Sequence, residues 1–281
     1  MLKIKKIAAA AAALFLAVLS LVSCSDNEPP ADAKELKVTF LEAGKADAMV
    51  LQSETGTVVI DCGEKGDGKK IVNLLEENGR TSIDYLIITH FDQDHIGGAP
   101  KVLNNLEVKN LITPNYEGNN DEYKKFVKTL NELDVQPQKI TDNMSFTLDD
   151  VKYTINVPQK EHYGNNESDE NNFSLVTKAV HHNNTLLFTG DAMEERLDEI
   201  MDIGKCTLLK VPYHGRKLDN LEDFLKKVKP KCAVTCTSTS EFSSKTQKAL
   251  EDMKIKSYAT CYNGDITAIS DGAKITFETE R

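Results

Sequence analysis

The sequence predicts an α/β fold in which two β-sheets form a sandwich between outer helices. Three observations support this prediction. Short apolar segments typical of strands alternate with segments whose apolar residues have helical spacing. Glycine turns join the first of these strands. The roughly 245 residues that follow the N-terminal segment suit one domain better than two.

The first half of the domain contains strands, three helices and a polar loop. The predicted strands are residues 36–41, 48–52, 58–61, 83–89 and 108–112, followed by a hairpin of residues 146–148 and 151–157. The predicted helices are residues 68–78, a short helix near 101–106, and residues 121–133. In the first helix Ile71, Leu74 and Leu75 have helical spacing, and Gly79 ends it. The loop of residues 158–170 is long enough to form one wall of a cleft.

The second half continues the alternation of strands and helices. Residues 173–180 and 186–189 are expected to pair as a hairpin around Asn183 and Asn184, because asparagine tolerates positive φ. The other predicted helices are residues 194–201, 221–228 and 245–253, and the other strands are residues 207–211, 232–236, 266–269 and 275–277.

Two pairs of chemically tempting residues are expected to be structural. His181 and His182 flank the predicted hairpin turn, so we expect them to be exposed. Cys232 and Cys236 are four residues apart in a predicted strand, so they face one side and are expected to be small core residues.

The predicted strand at residues 83–89 is followed at once by possible metal ligands. These are His90, Asp92, Asp94 and His95. His90 and Asp92 are two residues apart, so in an extended loop both can face one cation. Asp94 and His95 are better placed for a second cation, which makes the segment a candidate two-metal site. The alternative, a helix N-cap at Asp92 or Asp94, explains only one carboxylate.

This segment, with Gly97 and Gly98, resembles the signature of the metallo-β-lactamase superfamily. Aspartate here replaces the second histidine of His-x-His-x-Asp-His, as in the extracytoplasmic hydrolase domain of competence DNA-uptake proteins. Three further blocks resemble the family's blocks in the expected order: residues 58–63, 189–192 and 208–215. The resemblance covers residues 37–277 and implies an αββα four-layer sandwich.

The resemblance also implies six metal ligands. They are His90 and Asp92 for the first ion, Asp94 and His95 for the second, the bridging Asp191, and His214, which closes the second site. Asp191 follows an apolar strand and Gly190, so its carboxylate is expected at a strand end. The alternative for Asp191 is an N-cap of the following helix.

Two departures from the family pattern bear on the choice of metal. The penultimate His-His pair is here Tyr213-His214, and residues 171–174, where the β-lactamases place a further histidine, contain none. The first site would then depend on oxygen ligands, among them an asparagine oxygen. Oxygen-rich coordination favours a harder ion. We therefore expect two divalent ions, manganese or zinc, with magnesium as a further candidate.

The chemistry implied is hydrolysis by a metal-activated water. Asp94 is expected to orient the attacking water, and Tyr213 to donate a proton. Asp61 is expected to support a ligand or the loop backbone. The candidate substrate-binding residues are Lys210, Arg216, Asn172 and Ser174. The alternative for Lys210 is a structural lysine paired with a buried carboxylate.

The N-terminal segment predicts an extracytoplasmic lipoprotein anchored to a membrane. Residues 1–23 combine early lysines with an alanine- and leucine-rich stretch, as in a signal peptide. The end of this stretch resembles a bacterial lipobox, which implies cleavage before Cys24 and diacylation of its thiol. Residues 24–35 would be a flexible tether to the domain at residues 36–281. The alternative, a transmembrane helix, is disfavoured because the apolar run is short.

Charge bears on the substrate. The net charge is −10, and removing residues 1–23, with three lysines and no acid, gives −13. An acidic domain is a poor non-specific binder of DNA. We therefore expect phosphoester hydrolysis, with a nuclease role suggested by the family resemblance alone. The alternatives are hydrolysis of a cyclic amide or ester, and a non-catalytic binding lipoprotein with an impaired metal site.

Overall fold

The computed structural model describes residue 28, residues 30–163 and residues 170–281. The expected signal peptide, Cys24 and part of the tether lie outside the described residues, as do residues 164–169 of the polar loop. Among the described residues, each helix is too short or too polar to cross a membrane.

The described residues form seventeen strands and eight α-helices. In chain order the strands are β1 (Leu36–Phe40), β2 (Ala48–Gln52), β3 (Thr57–Cys62), β4 (Ser82–Ile83), β5 (Tyr85–Ile87), β6 (Glu107–Val108), β7 (Leu111–Pro114), β8 (Gln138–Ile140), β9 (Met144–Leu148), β10 (Val151–Asn156), β11 (Val176–His181), β12 (Asn184–Phe188), β13 (Leu208–Lys210), β14 (Cys232–Thr235), β15 (Lys256–Ala259), β16 (Ile266–Ser270) and β17 (Ile275–Thr279). The helices are α1 (Gly68–Glu77), α2 (Gln93–Ile96), α3 (Ala99–Leu103), α4 (Asp121–Leu133), α5 (Glu194–Glu199), α6 (Leu221–Val228), α7 (Ser244–Asp252) and α8 (Thr260–Asn263).

The strands form two large mixed sheets and one small pair. The first large sheet has the order β17-β16-β1-β2-β3-β5-β7-β8, and the second has the order β15-β14-β13-β12-β11-β10-β9. The β3–β5 pair of the first sheet and the β12–β13 pair of the second are parallel. The short strands β4 and β6 pair separately.

Three apolar cores hold these layers together. In β3, Val58 and Ile60 face a core between the two sheets, whereas Val59 faces a core shared with α1, α3 and α4. A third core joins the second sheet to α5, α6 and α7, with Leu209 and Phe224 among its members. Each fully buried Val, Leu or Ile side chain contributes about 1.5–3 kcal/mol relative to an exposed one. Helices therefore cover the outer faces of two stacked sheets, which confirms the predicted αββα sandwich.

The structure corrects several sequence predictions. The predicted strand at residues 83–89 is divided into β4 and β5, because the Asp84 side chain between them accepts a hydrogen bond from Thr57 N. The hairpin turn lies at His182 and Asn183 rather than one residue later. The expectation that His181 is exposed is wrong, since its side chain is fully buried with Nδ1 2.8 Å from Ser270 Oγ. Strands β8 and β15 and helix α8 were not predicted.

Candidate metal centre

The candidate metal centre lies where strands of both sheets end. β3 ends beside Asp61, and β5 leads to His90. β12 and β13 of the second sheet lead to Asp191 and His214. Because packed strands of two sheets support these side chains, their positions are fixed by rigid parts of the fold.

The loop after β5 adopts a conformation suited to ligands rather than to a helix cap. Asp92 is extended, with φ −70° and ψ 151°, and its side chain makes no hydrogen bond to the N-terminus of α2. Asp94 lies within α2. The loop then packs on the backbone of β3 at Gly98, where a Cβ would lie 2.1 Å from Cys62 O. Glycine is therefore required to bring this loop against β3.

Five of the six expected ligands come together in two groups that share His95. One group is His90, His95 and Asp191, the other is Asp94, His95 and His214, and the ligand atoms within each lie within 4.8 Å of one another. Asp191 Oδ2 lies 2.8 Å from His214 Nε2 and 3.5 Å from His95 Nε2. Asp94 Oδ2 lies 3.5 Å from His214 Nε2.

The sixth expected ligand lies at the rim. Asp92 Oδ2 is 3.6 Å from His90 Nε2, its side chain is 38 % exposed, and it belongs to neither group of three. The N-cap alternative for Asp191 does not hold, because the cap position of α5 is Met193. Asp191 instead keeps its carboxylate in the centre, where it contacts both His95 and His214.

Each of the three histidines is held through Nδ1, which leaves Nε2 directed into the centre. His95 Nδ1 donates to Asp61 Oδ2 at 2.7 Å, and His214 Nδ1 donates to the carbonyl oxygen after β14 at 3.1 Å. Thr89 Oγ1 donates to Asp61 Oδ2 at 2.6 Å, so it accepts from His90 Nδ1 at 3.0 Å. A neutral imidazole protonated at Nδ1 has its lone pair at Nε2. These contacts therefore set the tautomers that metal ligation requires.

The residues present fit divalent cations. Among the described residues, His90 Nε2, His95 Nε2 and Asp191 Oδ1 are buried without a hydrogen-bond partner. Unsatisfied buried polar atoms are rare in folded proteins and call for a missing partner such as an ion. Imidazole nitrogen together with carboxylate oxygen suits zinc and manganese.

The pKa shifts of the ligands indicate that the centre favours positive charge. Burial opposes the charged form of His214, but Asp191 and other carboxylates raise its pKa to about 10. Burial likewise opposes the charged form of His95, yet Asp191 and Asp61 raise its pKa well above the usual value. Burial favours protonation of Asp94, but the hydrogen bond to His214 holds its pKa well below the usual value. Divalent ions would displace these protons and supply the same charge.

The sequence reasoning missed Asp47. This fully buried residue pairs with Lys210 Nζ through Oδ2, and its Oδ1 lies 3.4 Å from His214 Nδ1. Lys210 Nζ also donates to Gly190 O at 3.0 Å and lies 3.5 Å from Asp191 Oδ1. Lys210 is therefore a buried structural lysine, which was the alternative expected from the sequence, and its expected contact with substrate is corrected.

Asn172 and Ser174 lie beneath the centre rather than in contact with solvent. Asn172 Oδ1 accepts hydrogen bonds from the backbone at the start of α5, including Arg196 N at 3.2 Å. Ser174 Oγ accepts from Asp191 N at 3.1 Å. Asn172 and Ser174 therefore position the start of α5 and Asp191, and the expectation that they bind substrate is wrong. The neighbouring Asn171 Oδ1 is buried and has no hydrogen-bond partner among the described residues, so it is the available asparagine oxygen.

Three partly exposed residues stand at the mouth of the centre. Tyr213 has a left-handed backbone, with φ 49°, and its hydroxyl accepts a hydrogen bond from Arg216 at 3.1 Å. The Arg216 guanidinium also lies 4.9 Å from the centroid of the Tyr213 ring. Lys45, which the sequence reasoning missed, places Nζ 2.9 Å from Asp94 Oδ2. Arg216 Nε also pairs with the Glu241 carboxylate, so the mouth combines a phenol, Lys45 and an arginine whose charge is already compensated.

Sequence comparisons agree with this arrangement. Residues 41–141 match the metallo-β-lactamase superfamily. The chain is 27 % identical over 262 residues to ComE operon protein 3 of Bacillus subtilis, covering 84 % of this chain and 33 % of that protein. It is 26 % identical over 205 residues to Recombination protein 2 of Haemophilus influenzae, covering 70 % of this chain and 24 % of that protein. The chain thus spans about a third of the first relative and a quarter of the second.

Solved structures share the fold at low sequence identity. A protein of Parabacteroides distasonis assigned as a metal-dependent hydrolase has a TM-score of 0.56 at 14 % identity, over 84 % of this chain and 97 % of that one. The metallo-β-lactamase fold protein YhfI of Bacillus subtilis has a TM-score of 0.52 at 12 % identity, over 80 % of this chain and 95 % of that one. The chain therefore shares the four-layer sandwich of these structures, and residues 41–141, which contain the His90–His95 segment, match the family model of the metallo-β-lactamase superfamily.

Proposed function

We propose that the chain is a metal-dependent hydrolase of phosphodiesters. The observation that carries this proposal is the convergence of three Nε2 atoms, from His90, His95 and His214, on the carboxylates of Asp94 and Asp191. Because Nδ1 of each ring is already hydrogen-bonded, only Nε2 is available to ligate an ion. This arrangement is costly to bury without a cation, so it supports a functional metal centre rather than a structural network.

Two divalent cations would supply the Lewis acidity that lowers the pKa of water and stabilises negative charge on the attacked group. His90, His95, His214, Asp92, Asp94 and Asp191 would hold them, and Asn171 offers a further oxygen. Manganese and zinc both suit these ligands, and the share of carboxylate oxygen keeps magnesium as a candidate.

The remaining steps belong to side chains of this chain. The Asp94 carboxylate accepts a hydrogen bond from the attacking water and orients it toward the phosphorus atom. The Tyr213 hydroxyl accepts from Arg216 through a lone pair, so its O–H is free to point toward the leaving oxygen as a donor. Lys45 attracts a negatively charged substrate, whereas Arg216 is paired with Glu241 and serves to position the Tyr213 hydroxyl.

The cationic Lys45 at the mouth favours phosphodiesters over neutral esters or amides. Lys45 contacts Asp94 and its side chain is 40 % exposed, so its ammonium group can also reach a substrate at the centre, whereas the charge of Arg216 is compensated by Glu241. An anionic diester gains a charge-assisted hydrogen bond from Lys45, whereas a neutral cyclic amide gains less. The binding of a phosphodiester is therefore the better match to the charges present.

We also propose that the chain acts outside the cytoplasm as a lipid-anchored protein, with Cys24 as the acylated residue. This part of the proposal stands on the N-terminal sequence alone. Metabolic labelling with palmitate should mark the full chain and not the Cys24→Ala variant. Labelling of both, or of neither, would refute the anchor without affecting the proposed chemistry.

Turnover with defined metals tests the proposed hydrolase. The chain is treated with EDTA, reloaded with manganese, zinc or magnesium, and assayed with bis-p-nitrophenyl phosphate, a chromogenic β-lactam and single-stranded DNA. We expect metal-dependent cleavage of the phosphodiesters, loss of turnover in Asp94→Ala, and retention in Cys232→Ser, whose buried side chain lies in the core between the sheets. Hydrolysis of the β-lactam alone would favour the cyclic amide alternative. Failure to retain any metal would favour a non-catalytic binding protein.

A further inference from the structure

A second group of possible metal ligands lies apart from the metal centre. Asp150 lies in the turn between β9 and β10, and His181 and His182 lie at the turn between β11 and β12. These three residues, which we call the turn cluster, bring their ligand atoms within 4.8 Å of one another. Among the described residues, each of the other such groups contains His95 or His214, so the turn cluster is separate from the centre.

The ligand atoms of the turn cluster have the spacing that a zinc ion requires. Asp150 Oδ2 lies 2.9 Å from His182 Nε2 and 3.3 Å from His181 Nε2. Zinc binds imidazole nitrogen and carboxylate oxygen at about 2.0–2.2 Å, and in tetrahedral geometry this separates neighbouring ligand atoms by roughly 3.3 Å. One ion can therefore be bound by all three residues without a large movement of any of them.

The fully buried His181 is held by its other ring nitrogen. Its Nδ1 lies 2.8 Å from Ser270 Oγ, and the same oxygen accepts from Asn184 Nδ2 at 2.8 Å. A hydroxyl oxygen can accept a second hydrogen bond, so the contact allows the tautomer with hydrogen on Nδ1 and a free lone pair on Nε2. Such a contact at the second ring nitrogen is typical of histidines that bind metals.

Backbone and packing direct His182 toward the same point. Its backbone is left-handed, with φ 52°. Its ring packs on Gly272 in the turn between β16 and β17, where a Cβ would lie 2.9 Å from His182 Cδ2. The side chains of His182 and Asp150 are 28 % and 26 % exposed, so an ion can enter from solvent and water can complete its coordination.

The turn cluster lies at the end of the sandwich remote from the metal centre. β12 begins at Asn184, beside the cluster, and runs for about 17 Å toward Asp191 of the centre. The cluster also lies where the two sheets meet, since His181 belongs to β11 of the second sheet and Ser270 to β16 of the first. Lys34 N, just before β1, lies 3.4 Å from Asp150 Oδ2.

We propose that the turn cluster binds one structural zinc ion that fixes the second sheet to the first at this end of the sandwich. Two imidazoles and one carboxylate suit zinc, and an ion that binds only the folded chain stabilises it. Manganese binds such ligands more weakly than zinc, so the manganese-loaded chain is expected to hold ions at the metal centre alone.

The test compares the metal content of the full chain, produced without a histidine tag, with that of three variants. His182→Asn removes a ligand and keeps a residue that tolerates the left-handed backbone. Asp150→Asn removes the carboxylate. His162→Asn, at an exposed histidine in the loop after β10, is the matched control. Each EDTA-treated protein is dialysed to equilibrium against micromolar zinc or micromolar manganese, and bound metal is measured by mass spectrometry.

We expect His182→Asn and Asp150→Asn each to hold one zinc ion fewer per chain than the unaltered chain and the control, with equal manganese in all four proteins. Equal urea midpoints in EDTA should show that the variants fold, and zinc should raise the midpoint of the unaltered chain more than that of His182→Asn. Equal zinc content in His182→Asn and the unaltered chain would overturn the proposal, because the cluster would then be a hydrogen-bond network in which both rings donate to Asp150. Zinc loss without any difference in midpoint would overturn the structural role.

The result is independent of the proposed hydrolase. If the chain holds no manganese and cleaves no phosphodiester, but still holds one more zinc ion than His182→Asn, the proposed function fails and the zinc site stands. If bis-p-nitrophenyl phosphate is cleaved and zinc content is the same in all four proteins, the zinc site fails and the hydrolase stands.

Discussion

The Asp61 carboxylate lies 2.7 Å from His95 Nδ1 and, through the Thr89 hydroxyl, also fixes His90. One buried carboxylate therefore orients two imidazoles that belong to the same candidate metal centre. Asp61 has a left-handed backbone, with φ 57°, and accepts a hydrogen bond from Thr89 N at 2.8 Å. The position thus combines a backbone conformation that suits Asp or Asn with a charge that only Asp supplies.

Asp61→Asn should weaken metal binding without unfolding the chain. Asparagine tolerates the left-handed backbone, but its single acceptor oxygen cannot replace both carboxylate oxygens, which together accept from Thr89 N, Thr89 Oγ1 and His95 Nδ1. Loss of such an outer contact typically costs 10- to 100-fold in metal affinity. Competition with a chromogenic chelator measures the change. Asp149→Asn, at another left-handed aspartate far from the centre, is the matched control and should bind metal normally.

Asp47→Asn should destabilise the fold, because it leaves the buried Lys210 without its closest counter-charge. Breaking a buried ion pair in this way costs about 3–5 kcal/mol in the free energy of unfolding. Urea denaturation in EDTA measures the loss. Adding Lys210→Met should recover part of it, with a coupling energy of about 1–3 kcal/mol in a double-mutant cycle. Substitutions that disturb no important contact usually change the free energy of unfolding by less than about 0.5 kcal/mol. A change that small in Asp47→Asn would contradict the assigned ion pair.

Lys45→Met should reduce kcat/KM for an anionic diester, mainly through KM. A charge-assisted hydrogen bond contributes about 1.5–3 kcal/mol, which corresponds to roughly ten- to a hundred-fold. Steady-state kinetics with bis-p-nitrophenyl phosphate test this expectation. Lys226→Met, on the exposed face of α6, should have no effect. An unchanged KM in Lys45→Met would show that the contact with Asp94 is the whole role of this lysine.

Asp149 should make the stability of the sandwich depend on acid pH. Partial burial favours protonation, but hydrogen bonds from Ser53, Thr55 and Gly56 lower the pKa of Asp149 to about 2. Since the unfolded pKa is near 3.9, the stabilisation is present above about pH 4 and is lost as the pH falls toward 2. Asp149→Asn should therefore lower the urea midpoint at pH 7 and have little effect at pH 2. An equal shift at both pH values would contradict the role of the charge.

The parts of the fold with strong periodicity were predictable from the sequence. The bounds of β2, α4 and α6 agree with the predicted segments 48–52, 121–133 and 221–228. Helix α4 has an added signal, since Asn120 caps it by accepting from Tyr123 N. Strands β8 and β15 were missed because they are short edge strands without an alternating apolar pattern.

The ligands were predictable because most of them lie within six residues, whereas their supports were not. Asp47 directly precedes β2, and only the fold, which brings the end of β13 close to it, shows that it pairs with Lys210. Asn172 and Ser174 were expected to contact substrate but are buried, because the sequence does not show which side chains near a strand end face the open part of the centre.

The metal content of the chain tests the central claim most directly. The EDTA-treated chain is reloaded with manganese, freed of excess metal by gel filtration, and analysed by mass spectrometry of its metals alongside His95→Ala, which removes the ligand shared by both groups. We predict about two ions per unaltered chain and loss of both in the variant. Anomalous scattering from crystals of the loaded chain should then place two peaks between His90, Asp94, Asp191 and His214. Retention of no metal by the unaltered chain, or equal retention by His95→Ala, would contradict the account.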